Sequence, residues 1–317
     1  MNKNVYDYFK DLEKSRLDKD HNAILSSSNE IVYPSKFIQV AGATFDDTPC
    51  IIKGWKGVQS IHSLSAPQLY NGIGILTPPV TLVRTPDTRV DDPITRLHTA
   101  QQDITSVKDL VATIGSEIYD KHAIDFPPTI MDKWEILYDR SIQEVFLQFM
   151  TPECLEEFIG LYLVDELLTE KDRHSGNYFF VKSPNAEKYE AIVAIDNSYV
   201  SILNIKNVTN IVDNPLGGKW GFKEFLKSFY SSATPLDTTD FYSYNSRMRE
   251  LRDLLFYDKL TSKQIALLRS TIKSDYPKAI LKTCKYYHLP EFSMHTSQPF
   301  QYLWEYNRNT LGRDLGM

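Results

Sequence analysis

At 317 residues, with 42% hydrophobic and 24% charged side chains, the chain exceeds a typical single domain and has a globular composition, which argues against disorder, collagen-like repetition and membrane residence. Its 35 basic against 41 acidic side chains leave a net charge of -6, a field opposed to that of a general nucleic-acid binder, so no direct nucleic-acid binding is expected. The odd set Cys50, Cys154 and Cys284, widely spaced and without a CxxC pair, excludes a readable disulfide framework or structural zinc site and fits a reducing cytoplasm.

The opening segment, MNKNVYDYFKDLEKSRLDKD, interleaves charges with Val5, Phe9 and Leu12 and predicts a helix rather than a signal peptide. The polar stretch NAILSSSNE joins this helical extension, residues 1–30, to a body that begins near Ile31. From there to about residue 83, short apolar runs (FIQVAG, TPCIIKGW, PPVTLV) separated by Gly, Pro and Asp predict a small antiparallel sheet. One helix is expected within it, from Gln59 to Asn71, with Ile61, Leu64, Leu69 and Tyr70 on one side and Pro67 limiting its first turn. After a hairpin-like loop, TPDTRVDDP, the run ITRLHTAQQDI reads as one more strand.

Beyond residue 105 the periodicity turns helical. SVKDLVATIGSEIYDK and EVFLQFM predict helices, and Thr151 and Pro152 supply an N-cap and a first-position proline for a third, with a core stripe of Leu155, Phe158, Ile159, Tyr162 and Leu163. Asp165 and Glu166 interrupt the apolar run Phe158 to Leu168, which is also too short to cross a bilayer, so no membrane span is expected. The later segments KEFLKSFYSS, YNSRMRELRDLLFYDKL and TSKQIALLRSTIK are helical in pattern. In the tail, Phe300, Tyr302, Trp304 and Tyr306 suit packing better than base stacking, because few basic residues flank them. His288 and His295 lack a zinc-ligand partner spacing. The outline is α+β and bilobal: a small antiparallel β-rich lobe over residues 31–104 and a larger, mainly helical lobe over 105–317.

The chemistry concentrates between Lys171 and Asp196. The helical run ends in Asp172-Arg173-His174-Ser175-Gly176-Asn177, the strand YFFV leaves, the polar turn SPNAEK follows, and a second strand, AIVAI, delivers Asp196. Phosphoryl transfer asks a protein for a carboxylate beside the attacking hydroxyl and for oxygen ligands that hold magnesium on nucleotide phosphates. Asp172 and Asn177 stand five residues apart on one loop, the spacing of the catalytic Asp and the metal-binding Asn in a kinase catalytic loop, and Asp196 is the second candidate metal ligand. A surface turn followed by an ordinary strand end is the plain structural alternative.

These residues resemble those of HipA-like kinases and phosphoinositide lipid kinases, where an Asp-Arg-His-x-x-Asn loop precedes an Asp on the next hairpin. In the first lobe, CIIKGWKG, a helix and GIGILTPPVTLV resemble the HipA-like order of nucleotide lysine, helix and Gly-Ile-x-x-Pro-Pro connection. The specific part of the likeness covers residues 50–83 and 155–198.

The resemblance implies a protein kinase-like fold and an ATP- and Mg2+-dependent transfer of the γ-phosphoryl group to a hydroxyl. The expected acceptor is Ser or Thr of a protein substrate or of the chain itself; a lipid or small-molecule kinase and a nucleotide-binding pseudokinase are the alternatives. Lys53 would contact the nucleotide phosphates, and His174 would orient Asp172, transfer protons or simply pack. Gln102, Asp103 and Ile104, at the end of the last first-lobe strand, would meet the adenine, with Gln148-Phe149-Met150 as a competing hinge. An antitoxin or regulatory protein partner is implied by resemblance only. Two departures stand out: the segment from Gln59 to Tyr70 carries no Asp or Glu to pair with Lys53, and no GxGxxG or Walker A run precedes that lysine. Ala41-Gly42-Ala43-Thr44 and Gly54-Trp55-Lys56-Gly57 are the weak glycine candidates for a phosphate cradle.

Overall fold

The structure is a computed structural model; it describes residues 39–45, 48–54, 58–84, 97–122, 124, 139–168, 170, 173–197, 253, 259–274, 276–286 and 311–317. The opening helix, the TPDTRVDDP loop, Lys56, Asp172, KEFLKSFYSS, nearly all of YNSRMRELRDLLFYDKL, His288, His295 and the aromatic tail lie outside the described residues.

The chain divides into two compact units, one of Met1–Leu161 with Asp172–Ser198, the other of Tyr162–Lys171 with Tyr199–Met317. The first contains both sheets and every described candidate residue. Its strands β1 (Gln39–Phe45), β2 (Thr48–Gly54), β3 (Val80–Arg84) and β4 (Leu97–Gln102) form an antiparallel sheet in the order β1-β2-β4-β3. Ala41 to Thr44 lie inside β1, paired with Ile52 to Pro49 of β2, so that stretch is ladder rather than loop. Helix α1 spans Val58–Ile73 with Pro67 inside it, longer at both ends than the expected Gln59 to Asn71. It buries Leu64, Ala66, Leu69 and Tyr70.

Helix α1 ends where Gly74 adopts φ 98°, its N–H bonding Asn71 O (3.1 Å) and that of Ile75 bonding Tyr70 O (2.9 Å), a left-handed cap that a residue with a Cβ resists. Thr77 then ties the exit back to the helix: its N–H donates to Asn71 Oδ1 (2.9 Å) and its hydroxyl to Pro67 O (3.2 Å).

A second antiparallel sheet, in the order β5-β6-β7, is built from Val111–Ile114, Tyr178–Lys182 and Ala191–Ala194. Here the structure departs from the sequence pattern. Val107, Leu110, Val111 and Ile114 repeat at helical spacing, yet a 3-10 turn at Ile104–Ser106 is followed by strand β5, and helix α2 begins only at Gly115, running to His122. The run Val111-Ala112-Thr113-Ile114 pairs with Lys182 to Phe179 of β6, and ladder hydrogen bonds to an existing hairpin override a local period. Ile104, Val107 and Leu110 pack with Val181, Ala191 and Val193 beneath it.

Helix α3 (Arg140–Phe149) is capped by Asp139, whose carboxylate accepts from Ser141 N at 2.8 Å and is held below the usual range by the Ser141 hydroxyl and amide. Helix α4 (Pro152–Leu168) starts as expected, Thr151 Oγ1 accepting from Cys154 N at 3.1 Å. Beyond the expected stripe, Cys154, Leu161, Val164, Leu167 and Leu168 are also buried, so apolar residues cover most of its circumference. A group of edge-to-face and tilted rings, Tyr119, Phe146, Phe158, Tyr178 and Phe180, fixes α2, α3 and the first turns of α4 onto β6.

In the second unit, helix α5 (Ser262–Lys273) opens with a complete capping box between Thr261 and Gln264, and Arg269 donates to Leu315 O at 2.8 Å. Helix α6 covers Tyr276–Tyr286. Cys50 and Cys154 are buried, and among the described residues no helix is long and apolar enough to cross a membrane.

Candidate active site

Three backbone devices set the site. Strand β2 carries Lys53, paired across β1 with Val40 and across β4 with Thr99. The exit of α1 joins the second sheet directly: Leu76 forms a parallel bridge with Val193, and Ala194 N–H donates to Leu76 O at 2.9 Å. The β6–β7 hairpin, its register pairing Tyr178 with Ala194, continues one step further because Ile195 N–H donates to Asn177 O at 3.0 Å. The two strands, joined by the Ser183 turn that Ala186 N–H closes onto Ser183 O (3.0 Å), therefore bring Asn177 and the approach to Asp196 to the same mouth.

At that mouth Lys53 Nζ lies 2.8 Å from Asp196 Oδ2, with side-chain exposures of 11% and 18%. The sequence left the partner of Lys53 open because α1 offers no carboxylate; the partner is the aspartate of the hairpin. Asp196 itself has φ 56°, in the left-handed region that Asp tolerates better than most residues, and this turns the chain out of β7.

Arg173 was not singled out from the sequence, and it organises the mouth. It is 1% exposed and is the largest fully buried side chain among the described residues. Its Nη1 donates to Asn177 O (2.6 Å) and Ile195 O (2.7 Å), its Nη2 donates to Asn197 Oδ1, and its guanidinium lies 5.9 Å from the centre of the Tyr70 ring in α1. The only sequence signal was its place between Asp172 and His174.

Asn177 is buried, its N–H closing a turn onto His174 O at 2.9 Å. His174 is exposed and its Nδ1 accepts from Gly176 N–H at 3.0 Å, which puts the ring proton of the neutral form on Nε2. The start of α2 is bound to the same loop through Ser116 N–H and Ser175 O at 3.0 Å.

The proposed adenine-facing stretch leaves the first sheet at the end of β4. Gln102 N–H donates to Pro79 O (3.2 Å) and Asp103 N–H to Pro49 O (2.9 Å), while the Asp103 carboxylate caps the 3-10 turn through Thr105 N (2.9 Å) and Thr105 Oγ1 (2.7 Å). Ile104 is buried in the core beneath the second sheet. The competing hinge at Gln148-Phe149-Met150 is the end of α3, bridged to Tyr189 of the hairpin loop.

No family model matches the sequence, and no curated protein matches it. Solved structures with a similar chain trace include the Helicobacter pylori proinflammatory kinase CtkA, at 12% identity and a TM-score of 0.45 over 78% of this chain and 95% of that one. They also include HipA from the Shewanella oneidensis MR-1 toxin–antitoxin complex with HipB and operator DNA, at 11% identity and a TM-score of 0.46 over 95% of this chain and 70% of that one. A HipA and a kinase thus stand among the structural neighbours.

Proposed function

We propose that the chain is a HipA-like phosphotransferase with a bilobal kinase arrangement, moving the γ-phosphoryl group of ATP to a Ser or Thr hydroxyl of a protein, its own chain included. The observation that carries this reading is the Lys53–Asp196 ion pair, which places a strand lysine of the first sheet against the hairpin aspartate. A cation and an anion that share one mouth can divide a metal–nucleotide complex between them, Lys53 taking phosphate oxygens and Asp196 the metal.

The donor set fits magnesium, since the Asp196 carboxylate and the Asn177 amide are hard oxygen ligands on two facing backbones. When bound, the ion neutralises charge on the phosphates. Lys53 would leave Asp196 for the phosphates and Asp172 would accept the proton of the attacking hydroxyl, with His174 two positions further along the sequence to orient it or to carry the proton. The proposed adenine contact is the backbone of Gln102, Asp103 and Ile104, the Ile104 side chain being in the core. The absence of any carboxylate in α1 favours one alternative, a protein that binds nucleotide without turnover, and a labelled-phosphate transfer assay decides against it if label appears on protein. Label on a lipid or small molecule would move the assignment to that acceptor class. A cytoplasmic location, which rests on the cysteine spacing, and an antitoxin or regulatory partner, which rests on the loop resemblance, are further parts of the proposal.

The test is a pair of variants. Asp196→Ala is expected to lower magnesium-dependent ATP affinity at least about tenfold, roughly 1.4 kcal/mol, and to change metal-free binding less. Asp172→Asn is expected to abolish transfer while leaving that affinity nearly intact. Calorimetric titration with and without magnesium measures the first; wild-type affinity in Asp196→Ala overturns the metal assignment.

A further inference from the structure

The residues on both sides of Asp196 are held by one side chain. Arg173 bonds the carbonyl that precedes it, at Ile195 (2.7 Å), and the amide side chain that follows it, at Asn197, and the same guanidinium bonds Asn177 O on the facing strand (2.6 Å). Asp196 between these anchors has its left-handed φ of 56°. The guanidinium is buried against Tyr70 of α1, the helix whose exit bridges β7 through Leu76 and Val193.

We propose that Arg173 is the positioning residue of this site: it sets the direction of the Asp196 carboxylate and its register with Asn177, and so creates the metal site. The inference rests on the reading of Asn177 and Asp196 as magnesium ligands. Only a planar fork reaches all three acceptors, because Nη1 serves two backbone carbonyls while Nη2 serves Asn197. A lysine ammonium replaces the first nitrogen and not the second. Asn197 therefore belongs to the same device, and its loss should reproduce what Arg173→Lys loses.

ATP affinity is measured calorimetrically in wild type, Arg173→Lys, Asn197→Ala and the double variant, once with magnesium and once with chelator. Each single variant is expected to weaken the magnesium-dependent affinity about tenfold with the metal-free affinity held within about twofold, and the double variant to be no weaker than Arg173→Lys alone, the signature of one shared bond. Packing alone would lower the melting temperature without splitting the two affinities. Wild-type magnesium dependence in both single variants, or losses that multiply in the double variant, overturn the proposal. If Arg173→Lys does not fold, Asn197→Ala decides the matter, since it deletes a single acceptor. A wild-type affinity indifferent to magnesium is a different result: it overturns the metal-site reading itself, and the positioning role with it.

Discussion

His62 shows how burial alone sets a charge state. The ring is 1% exposed within α1, and desolvation lowers its pKa from 6.5 to about 3, so it is neutral in the folded chain throughout the physiological range. Between those two values the unfolded chain binds one proton more than the native one, and stability therefore falls as pH falls from 6.5 towards 3, by up to about 1.4 kcal/mol per pH unit. In His62→Gln that contribution disappears: urea unfolding at about pH 6 and about pH 4 should show a slope smaller by about one proton than in wild type. An unchanged slope would mean that the ring protonates in the native state. At Cys154, burial raises the thiol pKa far above the ordinary range, so this cysteine is an inert core residue rather than a nucleophile.

Elements meet through close approaches that only particular residues allow. Gly115 begins α2 with its Cα against the Tyr178 ring and the backbone oxygen of Ser175; a Cβ there would lie 2.7 Å from that oxygen and nearer still to the ring. Tyr178 is fully buried among Tyr119, Phe158 and Phe180, its hydroxyl bonded to that of Tyr119, and cannot swing aside. Gly115→Ala is therefore expected to destabilise by about 1–3 kcal/mol through overpacking. The loop that holds His174 and Asn177 hangs from the same contact, so proteolysis of that loop should accelerate in step with the lower denaturation midpoint. A midpoint equal to wild type would show that β6 yields at no cost.

For the molecule as a whole, ligand binding should register as stability. A complex that binds the native state and not the unfolded chain stabilises by RT ln(1 + [L]/Kd), about 2.7 kcal/mol at a hundredfold excess over Kd. Thermal unfolding with magnesium and ATP together is expected to shift upward accordingly, with magnesium alone giving little because Lys53 already occupies the Asp196 carboxylate. Lys53→Met removes the resident cation, so magnesium alone should then raise the transition. A Lys53→Met chain indifferent to magnesium would argue that Asp196 does not take the metal.

Much of this was legible from local rules. The strands of the first sheet, the cap at Thr151 and Pro152, and the hairpin from Tyr178 to Ala194 follow from turn residues, capping chemistry and strand-length apolar runs, all of which act within a few residues. The helical spacing of Val107, Leu110, Val111 and Ile114 misled for the complementary reason: β5 exists because β6 supplies its hydrogen-bond partners, and no local pattern encodes a partner so distant in the chain. The sequence by itself determined which residue types could hold metal and phosphate and that Asn177 and Asp196 would end at one hairpin mouth. Only the tertiary structure decided that Lys53 faces Asp196 and that Arg173 clamps both flanks of that aspartate. Lys53 lies in the first sheet and Asp196 follows a strand of the second, so no pattern within a few residues selects one as the partner of the other.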